Sequence, residues 1–553
     1  MASDESMHIV LVPFPAQGHF AAFLSLAGHL HRARPSAAIT LVSTPGNVAA
    51  LRASASRLAM ASDESMHIVL SPFPAQGHFA AFLSLAGHLH RARPSADMTL
   101  VSTPGNVAAL RASASASSLP FLRFHTLPFV PEEHGLPAGA ESLDALPVRH
   151  FLALFHATES PSLRSAFDEF VLDTTDGALA RAVVVVIADP FLAWTSGVAR
   201  SRGARHAIFV SCGAFGSAVY HSLWNHLPHL HAPAGDAFLL PDHTEVTVHR
   251  SQLFTPLLVA DGADPWSAFH RGQIAHACDT DALLINTTEE FEPTGLRMLR
   301  RTMGGTPVCP VGPLVRVPTQ ESAGRDRDGV VQWLDAREAR SVLYISFGSQ
   351  NSLLPEQMME LAAALELAGR PFVWAIRPPL GSDDDDNDGT SRADRWLPEG
   401  FEERVRGNDQ GLLVWGWAPQ LSILAHASTA AFLSHCGWNS VLESVTHGVP
   451  VIGWPLAGEQ FFNAKMLDEE WGVCVEVARG NVDAVGSSVV DRARIVEAVE
   501  KVMGDSTEAT EMRRRTKEVQ DLVLRAQSVG GSSMEALEEF FTSMLRGISA
   551  NNS

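Results

Sequence analysis

Short, apolar-rich runs recur along this chain, separated by stretches whose apolar residues fall at helical spacing. In the first half such runs occupy 66–71 (MHIVLS), 121–127 (FLRFHTL), 182–188 (AVVVVIA), 206–211 (HAIFVS) and 283–286 (LLIN). In the second half the first is 341–346 (SVLYIS), followed by PFVWAIR, LLVWG, TAAFLSH, VPVIGW and VCVEV. Runs without polar alternation are the mark of strands covered on both faces, as in parallel sheets. Helical periodicity follows Gly77 and Pro190, and returns over 489–503 and 507–527, the last expected to cross back to the first half. Strands alternating with helices predict an α/β chain with two doubly wound sheets. The His- and Pro-rich segment 227–280 breaks the pattern and reads as an irregular excursion. A Pro/Gly-dense connector, GGTPVCPVGPL at 304–314, marks a boundary. The expected division is 60–308, then 309–530, then a C-terminal helix and polar tail over 531–553.

The front of the chain is a repeat. Residues 1–59 and 60–118 are near copies, differing only at Val12/Ser71, Ala38/Asp97, Ile39/Met98 and the triplets Arg57-Leu58-Ala59 and Ala116-Ser117-Ser118. Each encodes a strand, a PFPAQGH turn, a helix and a second strand. Two units do not make a solenoid, and one doubly wound sheet has a single place for them. The second copy is favoured, because it runs directly into the strand at 121–127, which makes 1–59 redundant. It also opens with its own MASDESM, so a start at Met60 gives 553 − 59 = 494 residues. The sequence leaves open whether the duplication is real or a gene-model artefact.

At 553 residues the chain exceeds one ordinary core, in keeping with two domains. Its net charge of −20 argues against nucleic acid or an anionic membrane as partner. Five scattered cysteines without a CxxC pair read as reduced thiols of a cytoplasmic protein. No secretion signal or stretch of about twenty apolar residues is evident, so no membrane anchor is expected. The run Asp383–Asp386 contains a DxD pattern of metal-dependent sugar transfer, but it lies in the hydrophilic loop GSDDDDNDGTSR, and no metal is expected. No GxGxxG follows a strand, which disfavours a nicotinamide enzyme.

Candidate chemistry concentrates between Trp417 and Gln460, WAPQLSILAHASTAAFLSHCGWNSVLESVTHGVPVIGWPLAGEQ. An apolar strand runs through His435-Cys436-Gly437 into a helix whose N-terminus presents N–H groups and a positive dipole end, an anion cradle. Asn439 and Ser440 are placed to cap that helix, and His435 adds a donor. Trp417 offers a flat ring, and Glu443, one turn into the helix, an acceptor for ribose hydroxyls. Together these describe a nucleoside diphosphate site.

This segment resembles the signature box of plant family-1 UDP-glycosyltransferases over its full length, and the resemblance extends over the chain after residue 60. It implies the GT-B fold, two Rossmann-like domains facing a cleft. It further implies that Trp417 stacks on uracil, Ala418 and Gln420 bond the base, and His435, Asn439 and Ser440 hold the diphosphate. Glu443 then binds ribose, while Trp438, Glu459 and Gln460 face the sugar. Position 459 departs from the family's frequent Asp, and a closing Gln is associated with glucose donors. Ser349 in YISFGS would touch phosphate, and Ser211 would lie near the sugar.

Chemistry at the acceptor needs a base. His78, in PFPAQGH, follows a buried strand and opens a helix, at the carboxyl end where open sheets bind ligands. The positive helix end is expected to keep its ring neutral. His78 matches the family's base, with His19 its twin in the first copy. Asp189 ends VVVVIAD, where its carboxylate would orient the imidazole, and it matches the family's Asp. Phe191, Trp194, Phe215 and the 227–280 excursion are expected to line an apolar acceptor cleft. The resemblance implies an enzyme, expected to be a monomer, that uses a UDP-sugar donor, most simply UDP-glucose, to glycosylate a hydroxyl or carboxyl of a small lipophilic acceptor with inversion. The competing readings are another GT-B nucleotide-sugar enzyme, such as an epimerase, and a non-catalytic product of the duplicated gene.

Overall fold

The computed structural model describes residues 8–11, 38–41, 65–113, 118–176, 182–232, 237–315, 329–349, 352–377, 396–479 and 489–545. The run Asp383–Asp386, His19 and Met60 lie outside them. Among the described residues the first copy contributes β1 (His8–Leu11) and β2 (Ala38–Leu41), paired in parallel with each other alone.

The second copy supplies β3 (Met66–Ser71) and β4 (Asp97–Ser102) of a seven-stranded parallel sheet. The sheet continues with β5 (Leu122–Thr126), β6 (Val183–Ala188) and β7 (Arg205–Val210). The chain then makes a small antiparallel hairpin, β8 (Ala237–Leu239) and β9 (Thr247–His249). It returns to the sheet with β10 (Ala282–Ile285) and β11 (Val308–Pro310). Spatial order is β11-β10-β7-β6-β3-β4-β5. β3 and β6 are buried at every residue, because helices cover both faces. The expected division between 308 and 309 falls inside β11, which pairs with β10 of the first sheet.

The second sheet is β14-β13-β12-β15-β16-β17. Its strands are β12 (Val342–Ser346), β13 (Phe372–Ile376), β14 (Gly411–Trp415), β15 (Thr429–Ser434), β16 (Val451–Gly453) and β17 (Cys474–Glu476). Counted within the domain this is the order 3-2-1-4-5-6 of a doubly wound nucleotide-binding sheet, and the first sheet has the same order with one added edge strand. Each sheet therefore reverses direction once, between β3 and β6 and between β12 and β15. Ligands bind outside the carboxyl ends of strands at such points.

The helix Thr507–Ala526 packs on Trp438–His447 of the second domain. The return to the first domain is made by the following helix, Ser532–Leu545, whose Leu537, Phe540, Phe541 and Met544 join the core beneath β3, β6 and β10. No described helix is long and apolar enough to cross a membrane.

Candidate active site

The register pairs Ser71 of β3 with Ala188 of β6, so both chains leave the first sheet side by side at its reversal point. One enters the turn Pro72–Ala75 and the helix Gln76–Ala92, with His78 in its first turn. The other continues to Asp189, whose N–H donates to Ser71 O at 2.9 Å. Asp189 is fully buried, and its Oδ1 accepts the Phe191 N–H at 3.0 Å, capping the short turn Pro190–Leu192. Its Oδ2 lies 2.6 Å from His78 Nδ1. With Nδ1 held by a carboxylate, Nε2 is the nitrogen left for a substrate proton, and 22% of the His78 side chain stays exposed.

Burial pulls the His78 pKa down, but the Asp189 charge and hydrogen bond, with Glu459 and Asp144 behind them, outweigh it and raise the value above 6.5. The expectation that the helix end sets the ring's protonation is thus corrected. A buried carboxylate at 2.6 Å outweighs a partial charge.

Aromatic rings surround the base. Phe73 and Phe191 lie 5.6 and 5.9 Å from the His78 ring, and Phe155 contacts both at 4.6 and 5.0 Å. Trp266 and Phe269 extend this wall from Phe155 at 5.4 and 5.1 Å. They sit on the helix Pro265–Ala277, inside the segment expected to be irregular, and Asp264 caps that helix by accepting the Ser267 N–H at 3.0 Å. The signal was present as Asp264-Pro265, an N-cap residue followed by proline. Of the residues expected to line the cleft, Phe215 is core, whereas Trp194, though largely buried, lines a recess with Pro72, Pro74, Phe129 and Leu192. Trp194 packs edge-on against Phe167 under the Arg164 guanidinium, and Phe215 is buried with its N–H donated to Glu292 Oε1 at 2.9 Å.

On the second sheet, β15 runs through His435-Cys436-Gly437 into the helix Trp438–His447. Gly437 is the N-cap, with no side-chain cap. Asn439 and Ser440 do not cap as expected: Asn439 Nδ2 donates to Gly77 O at 3.3 Å, and Ser440 Oγ accepts from Gln420 Nε2 at 3.2 Å. Without a side-chain cap, the first-turn N–H groups and the dipole remain for an anion. His435 is buried against Gly348, whose Cβ, were there one, would stand 2.6 Å from His435 Nε2. Burial pushes its pKa down to about 4, so the neutral ring offers a single N–H.

Gln420 organises the remaining donor-side groups. Its Nε2 also donates to Glu443 Oε2 at 2.6 Å, and its Oε1 accepts the Tyr344 hydroxyl at 3.0 Å. Trp417 is 65% exposed, with the Arg377 guanidinium 6.0 Å from its ring, while its neighbour Ala418 is buried. Arg377 Nη1 donates to Ser349 O at 2.6 Å, fixing the loop after β12 beside His435.

The sugar-side residues lie where the domains meet. Glu459 packs on Gly216, whose Cβ would be 3.3 Å from its own. Burial raises the Glu459 pKa, opposed by the charge of His78 across the cleft. Gln460 Oε1 accepts the N–H groups of Leu456 and Ala457 at 3.0 and 2.9 Å. The Trp438 ring does not face the cleft as expected. It is 3% exposed, stacks near Phe291 at 6.0 Å, and donates its indole N–H to Asn286 O at 2.7 Å. Its backbone N–H is what remains for a ligand.

Residues 328–510 match the family model described as UDP-glucoronosyl and UDP-glucosyl transferase. The chain is 40% identical over 493 residues to UDP-glycosyltransferase 92A1 of Arabidopsis thaliana, covering 87% of this chain and 98% of that one. It is 40% identical over 457 residues to crocetin glucosyltransferase 3 of Crocus sativus, covering 80% and 93%. Its fold is similar to the crystal structure of Glycyrrhiza uralensis UGT73P12 complexed with glycyrrhetinic acid 3-O-monoglucuronide, with a TM-score of 0.75, 29% identity and coverage of 88% and 98%. Two facing doubly wound domains and relatives this similar over this length place the chain in the plant UDP-glycosyltransferase family, as a GT-B enzyme that uses a UDP-sugar donor.

Proposed function

We propose that this enzyme transfers glucose from UDP-glucose, with inversion, to a hydroxyl or carboxyl group of a small lipophilic acceptor. The observation that carries the reading is the His78–Asp189 pair at one sheet's reversal point, opposite the uncapped helix end at Trp438–Ser440. His78 Nε2 takes the acceptor's proton as its oxygen forms a bond to the anomeric carbon. The bond from that carbon to the UDP oxygen breaks on the opposite face, and its electron pair leaves with UDP. Asp189 stabilises the imidazolium, and the helix end stabilises charge developing on the diphosphate. A carboxylate acceptor, already ionised, needs orientation more than a base.

In this reading uracil stacks on Trp417 and bonds at Ala418 and Gln420. His435, Asn439, Ser440 and Ser349 hold phosphate, Glu443 accepts from ribose, and Glu459 and Gln460 meet the sugar with the Trp438 N–H. The aromatic wall around His78 favours flat or extended apolar acceptors. The crocetin glucosyltransferase relative supports both glucose and a lipophilic acceptor. One chain supplies both halves of the site, consistent with a monomer, and five unpaired thiols fit a cytoplasmic setting.

The test is an acceptor-library screen with UDP-glucose and mass-spectrometric product detection, alongside His78→Ala. Glucosylated product that disappears in the variant, while UDP affinity holds, is the expected result. UDP release without any glycoside from any acceptor would instead favour another nucleotide-sugar reaction.

A further inference from the structure

The helix that carries His78 begins without a local cap. Its N-cap residue, Ala75, has no side chain able to accept a hydrogen bond, and the first turn contains no acidic residue. The acceptor comes from elsewhere: Asp144 Oδ2 takes the Gln76 N–H at 2.6 Å, from 68 residues away in sequence and two residues before the base. The segment bearing it clasps the same turn. Leu143 N–H donates to Pro74 O at 2.9 Å, and Ser142 Oγ lies 3.3 Å from Pro74 O and 3.0 Å from Asp144 Oδ2. Asp144 is exposed, so its carboxylate fills no place in the core.

We propose that Asp144 is a positioning residue for transfer, whose carboxylate caps the His78 helix from a distant segment and fixes the base against Asp189. The inference rests on His78 being the base. A carboxylate at a helix N-terminus satisfies an otherwise unpaired N–H and complements the dipole. Here the N–H it satisfies belongs to Gln76, so fraying of that residue displaces the imidazole directly. Small misplacements of a reacting group cost large factors in rate. The charges facing His78 are Asp189, Glu459 and Asp144, and all three raise its pKa.

The test compares Asp144→Ala, Asp144→Asn and His78→Ala in the full chain, measuring kcat, donor KM, the pH profile of kcat and the melting temperature. Asp144→Ala is expected to lower kcat roughly tenfold with donor KM within about twofold and little change in melting. Asp144→Asn retains an acceptor oxygen for Gln76 but no charge. It is expected to recover most of the lost rate and to move the acid limb of the profile to lower pH. Wild-type rates and pH profile in both Asp144 variants, with His78→Ala inactive, would overturn the inference and leave the base standing. A parallel loss of kcat, donor affinity and melting temperature would reduce Asp144 to a structural cap. Full activity in His78→Ala would remove the base itself, and this inference with it.

Discussion

Asp189 uses its two oxygens for two purposes, one capping Phe191 and one orienting His78. Asp189→Asn separates them. The amide oxygen still accepts from Phe191, but the NH2 group now faces Nδ1 and forces the ring proton onto Nε2, the wrong tautomer for a base. The expected outcome is a fall in kcat of about 10²–10⁴ with a nearly unchanged melting temperature. The pH dependence has a defined sign. His78 has its folded pKa raised above 6.5, so proton-linked stability is fully present below the unfolded value and is lost as pH rises through the folded one. The rate runs the other way, rising across that window as the neutral base forms. Profiles of kcat/KM and of melting temperature against pH check both: in the Asn variant the acid limb of the rate moves to lower pH and the stability slope flattens. Gly348 is a second single-residue determinant. Its φ is +78°, and a Cβ would meet His435 Nε2 at 2.6 Å. Gly348→Ala is therefore expected to cost about 1–3 kcal/mol through strain and a displaced His435. UDP binding measured by calorimetry should weaken by about tenfold, roughly 1.4 kcal/mol.

Among the elements, the terminal helix Ser532–Leu545 carries more weight than its position suggests. Leu537, Phe540, Phe541 and Met544 are buried in the first domain's core. At about 1.5–3 kcal/mol each, the four side chains contribute roughly 6–12 kcal/mol, comparable with the net stability of a whole domain. Truncation after Ser528 is expected to abolish cooperative melting of the first domain, read by calorimetry and by soluble yield. Apolar patterning revealed this helix but not which domain it covers, since an amphipathic face does not name its partner. The strands were legible for a clearer reason. A run such as AVVVVIA has no polar face, so only a strand covered on both sides suits it, and the structure has β6 at Val183–Ala188. Both reversal points follow from strand order, and the residues at them stand in PFPAQGH, VVVVIAD and SHCGWNS. The 227–280 segment was less readable, because its hairpin has strands of three residues each and its helix opens amid Pro and His. Side-chain direction at Trp438 was not readable at all. The partner that claims its indole, Asn286 O, lies 152 residues away in the other domain.

For the whole molecule, the decisive question is which copy of the repeated unit does the chemistry. β3 pairs with β4 in the same register as β1 with β2, His67 opposite Asp97 and His8 opposite Ala38. The two strand pairs are thus locally equivalent. Among the described residues what distinguishes them is the second neighbour: β3 also pairs along its full length with β6, and that pairing brings His78 to Asp189. The sites where the copies differ reinforce the choice. Asp97 Oδ1 accepts from Arg123 Nη2 at 2.8 Å, a contact that Ala38 has no group to make. The pair is exposed, so it contributes only a few tenths of a kcal/mol, and the direct continuation into β5 contributes far more to the preference. Two variants of the full chain turn this into a measurement. His19→Ala should leave glucosyl transfer within about twofold of the parent, because Asp189, the carboxylate that orients the base, is held by His78. His78→Ala should reduce transfer by at least about 10². Deleting residues 1–59 should then preserve both turnover and melting temperature. Activity lost with His19 and retained without His78 would mean that the first copy occupies the sheet in solution, with the second displaced.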